Sequence, residues 1–154
     1  MQTQLMCLSL SYKTASVEVR ERAAMSTTHQ AHLLMQAAAG DLLDVAELVI
    51  LSTCNRTELY AIAGTHGVDT LFEAWRQFSA LTVTEQQTLG VLLEGQACID
   101  HVLEVSAGLD SQVIGEPQIL GQVADAYELA RTHHAAGTML SALMQHAIQA
   151  GKRV

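Results

Sequence analysis

Aromatic side chains make up only 4% of the 154 residues, proline occurs once, and lysine and arginine together number eight. Each scarcity excludes something. With few rings available, Ala, Leu and Val must fill the interior, which favours helices packed closely together. The eight basic residues, Lys13, Arg20, Arg22, Arg56, Arg76, Arg131, Lys152 and Arg153, are scattered, and the formal charge is −8. A general nucleic-acid surface needs clustered Lys and Arg, so RNA could be touched only locally, or with charge supplied by another part of the molecule. No apolar run approaches the ~20 residues of a membrane span. The three cysteines, Cys7, Cys54 and Cys98, are an odd number without close pairing, so a reducing cytoplasm is expected rather than a disulfide framework. The polar start and the short apolar stretch from Leu5 to Leu10 do not read as a secretory leader.

What is present is enough for one domain, since a chain this long buries roughly 68–70% of its extended surface without staples. Residues 4–12 alternate loosely as a first strand, and the Ala- and Leu-rich 27–39 stops at Gly40 as a helix does. Residues 46–52 and 58–63 predict two further strands. Leu71, Phe72, Trp75 and Phe78 predict an amphipathic helix over 68–80, and 89–94 a last strand. This order is the split pattern of ferredoxin-like βαββαβ sheets and predicts an α+β fold: four antiparallel strands with two helices on one face. From about residue 96 the pattern turns helical, with stripes over 96–108, from Pro117 to about 132, and from Leu140 onward. We therefore expect a sheet part over roughly 1–95 and a helical bundle over 96–154. The last helix is hardly finished at "AGKRV", which reads as a piece cut from a longer chain.

The polar insert "STCNR" (52–56) interrupts two strand-like runs, placing a thiol and a guanidinium on a sheet-edge loop. Two readings of Cys54 stand on the residues alone: a small buried hydrophobe, as Cys7 and Cys98 read among Leu, Met and Ile, or a displayed nucleophile. Its neighbours are all polar, which a structural cysteine does not require. Arg56 could promote thiol ionisation or grip a carboxylate with its fork. "SAGLDSQVIGEPQILGQ" (106–122) reads either as a solvated interhelix turn or as a second polar constellation. His101 is either a hydrogen-bonded histidine beside an apolar stripe or an acid–base group facing Cys54. His29 and His32 lack a third ligand, and no metal is expected.

Four separated blocks, "SYKTASVEVRE" (11–21), "STCNRTELY" (52–60), "GLDSQVIGEPQILGQV" (108–123) and "GKRV" (151–154), resemble the N-terminal catalytic domain of the glutamyl-tRNA reductase family, in the right order across the whole chain. The resemblance implies NADPH-dependent reduction of glutamyl-tRNA to glutamate-1-semialdehyde, the first step of tetrapyrrole synthesis. It implies Cys54 as the nucleophile that forms a thioester and His101 as important for activity. Thr53, Asn55, Arg56, Ser111, Glu116, Pro117, Gln118 and Gln122 would line the substrate pocket. Two departures stand in the first block, where Tyr12 and Ser16 replace the family's usual His and Pro.

The chain has no G-x-G-x-x-G, so the NADPH site is expected in a domain it lacks, followed in the family by a dimerising helical domain. This piece alone would then be at most esterase-like. Implied partners are glutamyl-tRNA, the downstream aminomutase and a regulatory or proteolytic protein, in a cytoplasmic homodimer. Two alternatives remain open: a non-catalytic regulatory module binding a protein or haem, and a cysteine hydrolase indifferent to Arg56.

Overall fold

The computed structural model describes residues 2–110 and 118–154. Strands β1 (Gln4–Ser11), β2 (Val45–Ser52), β3 (Arg56–Ala63) and β4 (Val91–Glu94) form one sheet in the order β2-β3-β1-β4, with every pairing antiparallel. The expected four-stranded antiparallel sheet is therefore the one observed. Helices α1 (Val17–Ala23) and α2 (Thr27–Ala38) link β1 to β2, and α3 (Gly67–Gln77) and α4 (Val83–Leu89) link β3 to β4. Helices α5 (Gln96–Ser106), α6 (Gln118–Thr132) and α7 (Thr138–Gly151) follow, and all three pack on one another. Among the described residues, no helix is long and apolar enough to cross a membrane.

Helices α1 and α4 are absent from the periodicity reading, and their length explains why. Each has seven residues, too few to show an apolar stripe, and each is announced only by its cap. The Ser16 hydroxyl accepts from the Val19 amide. Thr82 and Glu85 form a reciprocal capping box, and Glu85 also pairs with Arg22 of α1.

Side chains alternate across the sheet, so β3 divides into two sets. Thr57, Leu59 and Ala61 lie on the face that meets α1–α3. There the Ser52 hydroxyl, opposite Thr57, accepts from the Met25 amide, and the Trp75 indole donates to the Ala23 carbonyl at 2.9 Å. Arg56, Glu58 and Tyr60 lie on the other face, opposite Ser11, Ser9 and Cys7 of β1. Helix α5 reaches this face through His101. Helix α7 is anchored by Glu47 of β2, whose buried carboxylate accepts from the Leu140 amide at 2.9 Å. Gly137 makes that approach possible, because a Cβ there would lie 2.8 Å from the Glu47 carboxyl carbon.

Trp75 is fully buried and its indole N–H satisfies a backbone carbonyl that has left its helix. Trp75→Phe should lower unfolding free energy by roughly 2–3 kcal/mol, combining lost volume with an orphaned acceptor. Urea denaturation checks this, and an unchanged midpoint would show that the bond contributes nothing.

Candidate active site

The loop between β2 and β3 is fixed by its backbone. The Thr53 hydroxyl accepts from the amides of Asn55 and Arg56, both at 3.2 Å, and the Thr53 amide donates to the Arg56 carbonyl at 2.7 Å. Tyr12 donates its amide to the Asn55 carbonyl at 2.9 Å, tying in the first sequence block. From α1, Arg20 Nε donates to the Cys54 carbonyl at 3.3 Å while its Nη1 donates to the Ala15 carbonyl at 2.9 Å. Every residue from Ser52 to Arg56 is thus held, and what the loop leaves free is the Cys54 side chain, which is exposed.

The thiol opens onto a cavity of about 460 Å³ lined by Arg20, Met25, Ser52, Thr53, Cys54 and Asn55, with α1 as its wall. A second cavity of about 440 Å³ runs along β2 between α2 and α6, and Gln122 and Asp125 line it. Ser52 borders both, so the two cavities adjoin at the base of the thiol loop.

The other two cysteines are sealed in the core. Burial pushes the Cys98 thiol up to about 12, with the nearby Glu58 carboxylate adding to the effect. Burial, then the charge of Glu58, also raises Cys7 well above the usual thiol range. Neither can supply thiolate near neutral pH.

Arg56 does not share the first cavity with Cys54. Its side chain is 1% exposed and turns to the opposite face of the sheet, where Nη1 donates to Asp110 Oδ2 at 2.9 Å and to Glu58 Oε2 at 3.3 Å, and Nη2 to the Asp110 carbonyl. Lys13 closes the pair from outside by binding Asp110. His101 belongs to the same network: its Nε2 lies 2.5 Å from Glu58 Oε2. Glu58 accepts as well from Ser9 Oγ and the Tyr60 hydroxyl, both at 2.6 Å. Burial alone would raise its pKa, but the His101 hydrogen bond, the charges of His101 and Arg56, and the Ser9 bond outweigh this and hold Glu58 at about 2.

Glu58 carries no signal in composition. Its signal is the alternation Arg56-x-Glu58-x-Tyr60, three polar tips on one face of a strand whose remaining residues, Thr57 aside, are apolar. The Cys7 sulfur, a Glu58 oxygen and a His101 nitrogen lie within 4.8 Å of one another, a spacing that metal ligands can adopt. The Arg56 guanidinium bonded to the Glu58 carboxylate opposes a dication there, and Glu58 Oε2 already accepts from Ser9, Arg56 and His101.

Of the other residues named from sequence, Gln118 is the exposed first residue of α6, and Gln122 is exposed one turn on. Ser111, Glu116 and Pro117 lie outside the described residues.

This α+β domain displays one accessible thiol, on a hydrogen-bonded loop between β2 and β3. The match to known proteins is more specific. The family model described as glutamyl-tRNAGlu reductase, N-terminal domain, matches residues 8–154, and the chain belongs to that family. It is 40% identical over 152 residues to the glutamyl-tRNA reductase of Marinobacter nauticus and 41% over 151 residues to that of Chromohalobacter salexigens, covering 97% of this chain in both cases. Glutamyl-tRNA reductase from Methanopyrus kandleri superposes with a TM-score of 0.76 at 25% identity over 99% of this chain. The chain spans about a third of these relatives, 34%, 35% and 34% of their lengths.

Two measurements test the site. Iodoacetamide should alkylate Cys54 of the folded chain at least ~100-fold faster than Cys7 or Cys98, since both core thiols must open before reacting. Equal labelling at all three would refute the assignment. Glu58, held at about 2 against an ordinary 4.5, stabilises the fold fully above pH 4.5, and that contribution is lost as pH falls from 4.5 towards 2. The loss should be on the order of 3 kcal/mol in urea titrations. In Glu58→Gln, less stable at pH 7, the same acid interval should show a visibly smaller decline.

Proposed function

We propose that this chain is the thioester-forming part of a glutamyl-tRNA reductase, with Cys54 as the nucleophile. The observation that carries the proposal is the contrast between three thiols: one exposed on a rigid loop inside a matching family block, two buried and unable to ionise. The Cys54 sulfur bonds to the carbonyl carbon of the glutamyl ester, the carbon–oxygen bond to the terminal ribose breaks, and the thiol proton leaves on the ribose hydroxyl. The glutamyl group stays as a thioester, a better hydride acceptor than an oxygen ester because sulfur donates less into the carbonyl. Splitting one hard step into two is the usual gain from covalent catalysis.

Asn55 and Thr53 border the sulfur and suit the substrate's polar groups, while Gln122 and Gln118 on α6 suit the amino-acid end. Ser111, Glu116 and Pro117 enter this reading on the family resemblance alone. Arg56 can take the substrate's acid group only by exchanging Asp110 for it, since both its neighbours are carboxylates already bound. His101 is assigned to holding Glu58, and through it Arg56, rather than to proton transfer at Cys54.

In a full-length protein, NADPH would supply the hydride that reduces the thioester to the aldehyde and releases the Cys54 thiolate. The residues here do not fit that cofactor: the sheet is wholly antiparallel, without the parallel βαβ turn that cradles a dinucleotide. Hydride delivery, the homodimer contact, the handover to the aminomutase and any regulatory or proteolytic contact are therefore assigned to, or made together with, the remainder of a full-length protein.

Mixing the chain with glutamyl-tRNA should release tRNA and leave a glutamyl adduct on Cys54, seen by peptide mass spectrometry. Cys54→Ser should form no adduct. Deacylation that proceeds unchanged in that variant would sink the proposal. In a full-length protein, Arg56→Lys should cut kcat/KM by at least ~100-fold, because Lys keeps the charge but loses the fork that spans Asp110 and Glu58.

A further inference from the structure

Among the described residues, Arg20 carries a charge without a counter-ion. It is 9% exposed, and two of its N–H groups serve the backbone carbonyls of Ala15 and Cys54. Among the described residues no carboxylate pairs with it, whereas Arg56 is paired with Glu58 and Asp110, and Arg22 with Glu18 and Glu85. A guanidinium has five donors in a fixed fork, so three have no partner among the described residues. A cation withdrawn from water without an anion is costly, and nature tolerates it chiefly where an anion arrives.

Arg20 lines the cavity that also exposes Cys54. Glu21 borders the same cavity but is exposed and forms no ion pair with Arg20, so solvent screens it. At about 460 Å³ the space falls within the roughly 300–1,000 Å³ that encloses a drug-sized molecule, far more than a glutamyl side chain fills. Val17, Ala24 and Met25 give it an apolar wall, suited to the flat face of a base.

On the function proposed above, two anions flank the reacting carbon: the free carboxylate of the glutamyl group on one side, and the phosphodiester of the departing nucleotide on the other. We propose that Arg20 binds the phosphodiester of the substrate's 3′-terminal nucleotide, seating the leaving half of the substrate against α1 while the sulfur takes the acyl half. Arg20 then has two tasks in one fork: Nε holds the Cys54 carbonyl, and the free donors hold the group from which Cys54 must separate the acyl carbon.

The test uses the intact chain and three probes: the trinucleotide CpCpA, a mixture of cytidine and adenosine, and free glutamate. CpCpA should slow iodoacetamide alkylation of Cys54 saturably, while the nucleosides and glutamate leave it unchanged. Arg20→Gln should weaken CpCpA by about tenfold or more, the value of one charge-assisted hydrogen bond, and Arg20→Lys by less. Absence of CpCpA protection in the unaltered chain overturns the proposal without reference to any variant. So does protection by glutamate that Arg20→Gln abolishes, which would assign Arg20 to the acyl carboxylate. Undiminished CpCpA binding in a folded Arg20→Gln chain, verified by circular dichroism, overturns it too. Deacylation of glutamyl-tRNA is a separate readout, so failure of CpCpA protection leaves the Cys54 assignment standing, and failure of deacylation does not decide where CpCpA binds.

Discussion

A single buried carboxylate organises the inner face of this sheet. Glu58 is wholly enclosed, and it remains ionised because four donors from three elements converge on it: Arg56 and Tyr60 from its own strand, Ser9 from β1 and His101 from α5. A lone carboxylate in such a place would neutralise itself or expel the helix above it. Here its satisfaction fixes the height of α5 over the sheet and the direction of the Arg56 side chain. Arg56 in turn holds Asp110, at the point where the chain leaves α5 for the third of the family blocks. Removing Glu58 would leave Arg56 buried with one anion fewer, so the cost of losing it exceeds the strength of any single bond it makes.

The thiol loop obeys the opposite logic. Glu58 is held by its side chain, whereas Cys54 is held by backbone groups and its side chain is left alone. Thr53 closes the turn, Arg20 and Tyr12 fix the two carbonyls on either side of Asn55's amide, and Ser52 docks on Met25. A side chain mounted in this way presents its sulfur in a restricted geometry. Residues 52–56 therefore have a division of labour set by the turn between β2 and β3: the exposed Cys54, outside both strands, lines the α1 cavity, and Arg56, the first residue of β3, shares the face of Glu58 and Tyr60.

The sheet was legible because its strands alternate or run apolar between breaks at Gly40 and Ser52–Asn55, and the long helices because their apolar residues recur at three and four. The short α1 and α4 were not, since seven-residue helices are specified by Ser16, Thr82 and Glu85 rather than by a stripe. The thiol's display was legible from its polar neighbours. The partners of Arg56 and His101 were not, because both depend on contacts with residues far along the chain. Arg56 meets Asp110 across 54 positions, and His101 meets Glu58 across 43. Closeness of Cys54 and Arg56 in sequence suggested a shared pocket, and the turn between β2 and β3 separates them.

The segregation of sulfur has a consequence for how the molecule ages. Thiolate character and access govern oxidation, and both are denied to Cys7 and Cys98 by the packing around β1 and α5. Among the thiols, peroxide entering solution meets one vulnerable atom, at the tip of a loop whose backbone does not rely on it. Damage there would alter the exposed sulfur while leaving the scaffold standing, and a thiol reductant would restore it so long as the sulfur had advanced no further than sulfenic acid.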